Sequence, residues 1–298
     1  KSSGKVVKGK MKGKNICQYL SQAILLEVLT SPKPGLVTRL ENGAHRDMSI
    51  FTFAMSSPIL SHAFYTFYDL ALNFQESTDN LLPFIRMVGK DFEEKLLAST
   101  KGVNTQKGIL FAGGLLAAAA GCLDAEKVEV TPEALCETVK QLTKGIVERE
   151  LCNLEHKERL TAGETLYLMS NFPGIRGEAE KGFPSALNVG LPALEYAFAR
   201  GSNINDALVH ALLALMTVVE DSNIVWRQNL EQLQKIHSMA SEALEEGSLF
   251  SFGGRLALNR LCDYCLAMNI SPGGTADMLS LSLALYLIKH ETLPGMIV

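Results

Sequence analysis

The chain of 298 residues is 47% hydrophobic and 20% charged, with a formal net charge of −4. This composition permits a sizeable core in one large domain or two average ones, and it argues against intrinsic disorder. The acidic balance argues against a general nucleic-acid-binding protein, which usually presents a basic surface.

The N-terminal residues 1–14 are basic and glycine-rich, without the apolar stretch that a secretory signal requires. We expect this segment to be disordered, as a cloning remnant or as the boundary of a fused domain. Residues 15–298 are then expected to form a single helical catalytic domain. The most apolar runs, residues 109–121 and 207–219, are shorter than the ~20 residues that span a bilayer, which favours buried core helices and a cytoplasmic protein without membrane contact.

Apolar residues recur at helical spacing nearly throughout the chain. Thr131, Pro132 and Glu133 combine a capping hydroxyl, proline at the first helical position and an acid in the first turn. Pro184 and Pro192 are expected to end or kink the helix that contains them. No sustained alternation typical of strands is present. The sequence predicts an all-α fold, a single compact domain of about ten helices over residues 15–30, 49–73, 81–98, 107–123, 132–151, 180–199, 204–221, 223–246, 252–268 and 275–290.

Two smaller features also have structural interpretations. Gly113 and Gly114, followed by the alanines 117–120, predict a helix with a small face that packs closely against a neighbour. Cys262 and Cys265 form a C-x-x-C pair, but the chain lacks the second pair that a structural zinc site would need. The six cysteines are therefore predicted to be reduced thiols.

Six breaks between the predicted helices combine glycine or proline with charged and amide residues. The first break is residues 31–37 (SPKPGLV). Its two prolines restrict the backbone around Lys33, so the side chain starts from a fixed position that suits the binding of a phosphate, and Gly35 permits close approach to a ligand. The alternative is a rigid helix stop with a solvated lysine. In the second, residues 42–48 (NGAHRDM), Asp47 is either a helix N-cap or a Mg²⁺ ligand or general base, with His45 as a neighbouring donor.

The third and fourth breaks offer cations for a phosphate. Residues 102–108 (GVNTQKG) open an apolar helix, where free backbone N–H groups and Lys107 indicate an anion site as readily as an ordinary polar helix start. Their spacing is not that of a Walker A loop. In residues 174–184, Arg176 offers a planar fork for phosphate oxygens and Glu178 could bind metal or accept a proton. The alternative is an exposed ion pair of little energetic value.

The fifth and sixth breaks contain carboxylates beside apolar helices. Asp221 follows a strongly apolar run, and a buried carboxylate needs a partner or a metal. A functional role is therefore favoured for the break that contains it, with Asn223 and Arg227 close in sequence. In residues 271–277 (SPGGTAD), two glycines before a helix let a phosphate approach backbone donors. Asp277 falls in the first helical turn, where a favourable interaction with the helix dipole alone could explain an acidic residue.

Taken in this order, the six segments resemble the triphosphoribosyl-dephospho-CoA synthases that serve citrate lyase and malonate decarboxylase. The resemblance runs from about residue 19 to residue 287. Each motif is weak alone, whereas six in series are highly specific. The chain departs from the family pattern at Gln106, Ser222 and Trp226. Gln106 keeps hydrogen bonding but cannot gain a proton, and Trp226 could stack on a base.

The resemblance implies that the 2′-hydroxyl of dephospho-CoA attacks the ribose C1′ of ATP and that adenine leaves. An oxocarbenium-like state can be stabilised by a carboxylate, and a base must accept the hydroxyl proton. Mg²⁺ would accompany ATP through oxygen ligands. The residues implied are Glu178 and Asp221 for catalysis; Lys33, Gly35, His45, Asn104, Lys107, Arg176, Asn223, Arg227, Ser271, Gly273 and Gly274 for substrate binding; and Asp47, Glu178, Asp221 and Asp277 for the metal.

Two other functions remain open at this point. A Mg²⁺-dependent helical hydrolase of nucleotides or ADP-ribose would explain the carboxylates but not the many lysine and arginine loops. A non-catalytic helical scaffold would leave Asp221 without a purpose. The resemblance further implies transient contact with a prosthetic-group transferase or an acyl carrier protein, and no nucleic-acid or membrane partner.

Overall fold

The computed structural model describes residues 13–152, 154 and 160–294, so the predicted segment 1–14 lies almost entirely outside the described residues. Within them the chain is helical and contains no strand. Two 3₁₀ turns (Thr78–Asn80 and Ser248–Phe250) and a π-helical turn (Ala186–Gly190) accompany the α-helices. The α-helices are α1 (Asn15–Leu29), α2 (Ile50–Leu72), α3 (Leu81–Ser99), α4 (Lys107–Glu126), α5 (Pro132–Leu142), α6 (Ile146–Leu151), α7 (Ala162–Ser170), α8 (Gly174–Glu180), α9 (Leu191–Ala199), α10 (Ile204–Leu215), α11 (Ser222–Arg227), α12 (Leu230–Glu245), α13 (Phe252–Ala267) and α14 (Gly273–His290).

The all-α prediction is confirmed. Fourteen α-helices in the described residues replace the ten predicted, because two predicted helices are divided and α7 and α8 were not predicted. The predicted helix 132–151 breaks at Gly145, whose φ of +73° is left-handed, and this separates α5 from α6. The predicted helix 223–246 divides at Asn229, whose side chain accepts the N–H of Gln232 and starts α12. The π-helical turn precedes α9 where Pro184 and Pro192 predicted a disturbance.

Two short helices escaped the sequence analysis. Helix α7 begins with a capping box in which Thr161 and Glu164 satisfy each other's backbone N–H groups. That signal is legible in the sequence as a threonine followed three residues later by glutamate. Residues 174–180 form helix α8, so most of the predicted break at residues 174–184 is helical.

The centre of the core is α4, which packs most extensively against α2 and also contacts α3, α5 and α14. Gly113 faces the ring of Phe64 and Gly114 faces the ring of Phe67, and the alanines 117–120 that follow are buried. The predicted small face is therefore confirmed. Close approach of α2 and α4 depends on it, because a larger side chain would separate the two helices.

By length and composition alone, α4 could cross a membrane, since it has 20 residues and a mean hydropathy of 1.7 in its most apolar window. However, 78% of that window is buried against other helices. Its apolar residues therefore belong to the protein core, as predicted.

The cysteines form no disulfide among the described residues. Cys17, Cys122, Cys136 and Cys265 are buried, and burial raises the pKa of each thiol to about 12. These thiols stay protonated and pack as small apolar groups.

The close packing of α2 on α4 leads to a testable prediction about the stability of the protein. A Cβ added at Gly114 would lie 2.6 Å from Cε2 of Phe67. We expect Gly114→Ala to lower the free energy of unfolding by ~1–3 kcal/mol, since overpacking shifts a buried ring. The measurement is urea denaturation followed by circular dichroism.

The matched control is Gly89→Ala in α3, where the nearest atom would be Cζ of Phe67 at 3.8 Å. Alanine also favours a helix interior by ~1 kcal/mol over glycine, so this variant should be as stable as the wild type or more so. Equal stability of Gly114→Ala and Gly89→Ala would show that the small face does not set the helix spacing.

Candidate active site

A cavity of about 850 Å³ opens where the loops between the helices converge. This volume is in the range of sites that bind drug-sized ligands and cofactors. Each of the six glycine- and proline-rich segments contributes to its wall. The predicted residues that line it are Lys33, His45, Asn104, Lys107, Arg176, Glu178, Asn223, Arg227, Ser271, Gly273, Gly274 and Asp277.

Three predicted site residues, Gly35, Asp47 and Asp221, do not line the cavity. Gly35 has a φ of +68°, and a Cβ there would lie 1.9 Å from the carbonyl oxygen of Ile270. It therefore packs the first loop onto the last one, so its close approach is to protein backbone. The Asp47 side chain is 59% exposed and lies outside the cavity wall.

One end of the cavity contains a buried ion pair that the sequence analysis missed in part. Lys33 is 1% exposed and forms an ion pair with Glu27, which is also buried. Burial lowers the pKa of Lys33, and the charge of Glu27 opposes this shift. The expected solvated or phosphate-bound lysine is therefore already paired with a protein carboxylate. Glu27 was missed because it lies inside a helix, on its buried face.

Asp277 lies beside this ion pair and contacts the start of α4. A Cβ at Gly108 would lie 1.9 Å from Oδ2 of Asp277, so only glycine allows this approach. The backbone N–H of Ile109 donates to the same carboxylate. Burial raises the pKa of Asp277, and the charges of Asp221 and Glu27 add to the effect. One amide of the predicted anion-binding helix start is therefore occupied by a protein anion.

Asp221 is buried, as predicted, at 1% exposure. It accepts hydrogen bonds from the N–H of Asn223 (3.0 Å), the N–H of Thr275 (2.7 Å) and the hydroxyl of Thr275 (2.9 Å). Burial raises its pKa, and these hydrogen bonds oppose the shift. A Cβ at Gly274 would lie 3.2 Å from Oδ2 of Asp221, so this glycine makes room for the carboxylate. Asp221 thus joins the starts of α11 and α14, and its predicted role in catalysis or metal binding stays a prediction.

Glu178 differs from Asp221 because it lines the cavity. It accepts hydrogen bonds from the backbone N–H of Ser185 (3.3 Å) and from the Ser185 hydroxyl. Burial raises the pKa of Glu178, the hydrogen bonds from Ser185 oppose this, and the charge of Glu220 adds to it. A carboxylate with raised basicity therefore faces the cavity, as a general base requires.

His45 connects the second loop to the sixth. Its Nε2 lies 2.7 Å from the hydroxyl of Ser271, whereas its Nδ1 is 3.6 Å from Oδ1 of Asp47, beyond hydrogen-bonding distance. Burial and the charge of Arg227 lower the pKa of His45. The ring is therefore neutral over most of the physiological range, and it offers a donor or an acceptor to a bound molecule.

The cavity wall also contains several cations, of which Lys107 and Arg176 were predicted from the sequence. Lys107 pairs with Glu93, and Arg176 pairs with Glu150. Helix α3 adds charged residues that were not predicted to belong to the site. At helical spacing, its cavity face presents Arg86, Gly89, Lys90 and Glu93. The helical spacing of these residues is the sequence signal that could have identified them as one face of α3.

The comparison with known proteins decides the family. The model of the CitG family, described as ATP:dephospho-CoA triphosphoribosyl transferase, matches residues 14–294. The chain belongs to this family.

Relatives with related names are similar over most of their length. A protein of Malonomonas rubra named probable 2-(5''-triphosphoribosyl)-3'-dephosphocoenzyme-A synthase is 43% identical over 278 residues, which cover 93% of this chain and 88% of the relative. The synthase of Pectobacterium atrosepticum is 39% identical, covering 91% and 88%. A probable synthase of Streptococcus equi subsp. zooepidemicus is 34% identical, covering 93% and 97%. No solved structure matches the chain.

The three residues that depart from the pattern of the triphosphoribosyl transferases lie in different surroundings. Gln106 is mostly buried and lines the cavity, and its side chain accepts a hydrogen bond from the Ser56 hydroxyl. Ser222 lines the cavity. Trp226 is 50% exposed and does not line the cavity, which gives no support to the expectation that it stacks on a base there.

The role of Asp221 as a junction between two helices leads to a testable prediction for Asp221→Asn. The substitution turns one acceptor oxygen into an NH₂ group that faces backbone donors at the start of α11 or α14. We expect the free energy of unfolding to fall by ~1–3 kcal/mol, the cost of leaving buried polar groups unsatisfied. Thermal and urea denaturation would measure it.

Asp47→Asn is the control, because it makes the same chemical change on an exposed side chain. Its stability should remain within ~0.5 kcal/mol of the wild type. If Asp221→Asn is equally harmless to stability yet abolishes activity, Asp221 acts in the chemistry and not as a junction between helices.

Proposed function

We propose that the protein transfers the 5-triphosphoribosyl group of ATP to the 2′-hydroxyl of 3′-dephospho-CoA and releases adenine. The observation that carries the proposal is the presence of carboxylates and cations in the wall of one cavity. Asp277 and Glu178 line it together with the cations of α3, α4 and α8. A reaction between a ribose hydroxyl and a triphosphorylated ribose needs both environments at once.

In the proposed reaction, the 2′-oxygen of dephospho-CoA forms a bond to C1′ of the ATP ribose while the bond from C1′ to N9 of adenine breaks. The hydroxyl proton passes to a base, and adenine takes up a proton as it leaves. The triphosphate remains on the product. Glu178 is proposed as the base, because it lines the cavity and burial raises its pKa. General-base catalysis of this kind contributes ~10²–10⁴-fold to a rate.

The positive charge that develops on the ribose favours a nearby carboxylate. Asp277 is suited to this because it lines the cavity and is held by the N–H of Ile109. Lys107 and Arg176 are proposed to bind phosphate oxygens. Their charges would fix the triphosphate and so present C1′ to the hydroxyl.

Mg²⁺ is proposed to accompany ATP. The described residues contain no cluster of three or more His, Cys, Asp or Glu side chains suited to a metal. This fits Mg²⁺, which keeps several waters and is bound through substrate phosphates and one or two carboxylates. Of the four predicted ligands, Glu178 and Asp277 line the cavity. Because Glu178 is proposed as the base, Asp277 would hold the ion together with phosphate oxygens and water, and the ion would neutralise charge on the phosphates.

The resemblance described above also suggests the biological setting. The product is proposed to be the prosthetic-group precursor for an acyl carrier protein of citrate lyase or malonate decarboxylase. Transient contact with the prosthetic-group transferase or the carrier protein is part of this proposal. A cytoplasmic location is proposed as well, and the free thiols support it.

The first test is chromatography of a reaction with ATP, Mg²⁺ and dephospho-CoA. We expect free adenine and a heavier CoA adduct in equal amounts, only when dephospho-CoA is present, and loss of both with EDTA. Adenine without dephospho-CoA would instead indicate a nucleotide hydrolase. Formation of ADP or pyrophosphate would contradict the proposed bond cleavage.

The second test concerns the base. Glu178→Gln should lower kcat by ~10²–10⁴-fold while the KM for ATP changes little, since the amide keeps the shape but cannot accept the proton. Glu180→Gln, two residues away and outside the cavity wall, is the control and should leave kcat unchanged. Equal rates for the two variants would exclude Glu178 as the base.

A further inference from the structure

Two arginines from different helices meet at one glutamate in the cavity wall. Glu150, in α6, accepts hydrogen bonds from Nε of Arg86 (2.9 Å) and from Nε of Arg176 (2.8 Å). Nη2 of Arg86 donates to it as well, so the contact with Arg86 is bidentate. All three residues line the cavity. We name them the Glu150 bridge.

The environment of the Glu150 bridge fixes its geometry. The guanidinium carbon of Arg86 lies 4.5 Å from the centroid of the Phe111 ring, which supports it from α4. Arg176 also lies near Glu164, with Nη2 3.9 Å from Oε1. Both arginines are partly buried, which strengthens their electrostatic interactions relative to those of free surface arginines.

The charges of this part of the wall favour an anion. The four cations Arg86, Lys90, Lys107 and Arg176 outnumber the three carboxylates near them, Glu93, Glu150 and Glu164. The two arginines lower the pKa of Glu150, so it is ionised at neutral pH and holds both of them. Lys90, one helical turn after Arg86, faces the same cavity. A single carboxylate therefore aligns two planar forks beside an additional lysine.

We propose that Arg86 and Arg176 bind the triphosphate of ATP as a pair and that Glu150 is the positioning residue that holds them apart and aligned. This inference rests on the proposed function for the identity of the substrate. Guanidinium groups suit phosphate oxygens because their N–H groups lie in one plane and can donate in pairs. Arg86 keeps Nη1, and Arg176 keeps N–H groups beyond the Nε that Glu150 takes, so both retain donors for phosphate.

Lys33 is less suited to the same role. It is almost fully buried and its charge is matched by Glu27. Asp277 adds a second acid close to Glu27. The Glu150 bridge presents two guanidinium groups with donors beyond those that Glu150 takes, so it is better suited to a polyphosphate. ATP bound there has its phosphates towards α3, α6 and α8.

The experiment compares Glu150→Gln, Glu150→Asp and Arg86→Lys with the wild type in the full-length chain. Isothermal titration with inorganic tripolyphosphate measures the triphosphate site by itself, and steady-state kinetics measure KM for ATP, KM for dephospho-CoA and kcat. Glu242→Gln is the control, because Glu242 pairs with Arg260 at 2.6 Å on an exposed surface outside the cavity wall.

We expect Glu150→Gln to raise the Kd for tripolyphosphate and the KM for ATP by ~10-fold or more, the usual cost of losing a charge-assisted contact. The KM for dephospho-CoA and kcat should stay within about threefold, and Glu150→Asp should restore part of the affinity, as expected when the carboxylate only orients the arginines. Arg86→Lys keeps the charge but loses the planar fork, and should weaken binding in the same way even if Glu150→Gln folds poorly.

Three results would overturn the inference. An unchanged Kd for tripolyphosphate in Arg86→Lys and Glu150→Gln would show that the triphosphate binds elsewhere. Tighter binding in Glu150→Gln would show that Glu150 competes with the phosphate. A loss of kcat with an unchanged KM for ATP would show a role other than positioning. Failure of the proposed function itself would appear separately, as absence of the CoA adduct in the wild type, and would leave the tripolyphosphate comparison valid.

Discussion

The carboxylate of Asp221 is shielded from water, and the backbone of two helices supplies the hydrogen bonds that water would otherwise provide. The N–H groups of Asn223 and Thr275 both point at it, from the starts of α11 and α14. Because an unsatisfied buried carboxylate is expensive, these two helix starts are held in one arrangement. The fifth and sixth loops, which carry Arg227, Ser271 and Gly273 into the cavity wall, depend on that arrangement.

The carboxyl group of Asp277 likewise joins two helices. Asp277 lies against Gly108 and accepts the N–H of Ile109, so a polar contact joins the starts of α14 and α4. Small residues further along α4 bring this helix close to α2 and so determine where the start of α4 lies. Close packing in the core and the position of a cavity carboxylate are therefore parts of one constraint.

The cavity wall provides carboxylates and cations that the proposed reaction would use together. Asp277 lies close to Glu27, which pairs with Lys33. Arginines and lysines of the wall are paired with glutamates. Cations that hold a polyphosphate would keep the substrate in the orientation that the transfer of a ribosyl group requires.

The sequence by itself determined the helical class, the positions of most loops, the burial of Asp221, the small face of α4 and the family. Each of these depends on local information: the period of apolar residues, the residues that start or stop a helix, or the order of motifs. The missed helix α7 belongs here too, since the capping box of Thr161 and Glu164 was legible.

The partners of the charged residues were decided only by the tertiary structure. Glu150 meets Arg86 across 64 residues, and Asp221 meets Thr275 across 54. No spacing along a chain encodes such contacts, because they depend on how helices pack. For the same reason, Lys33 and Gly35 could be recognised as unusual, yet the structure was needed to show that one pairs with Glu27 and that the other lies against the backbone of Ile270.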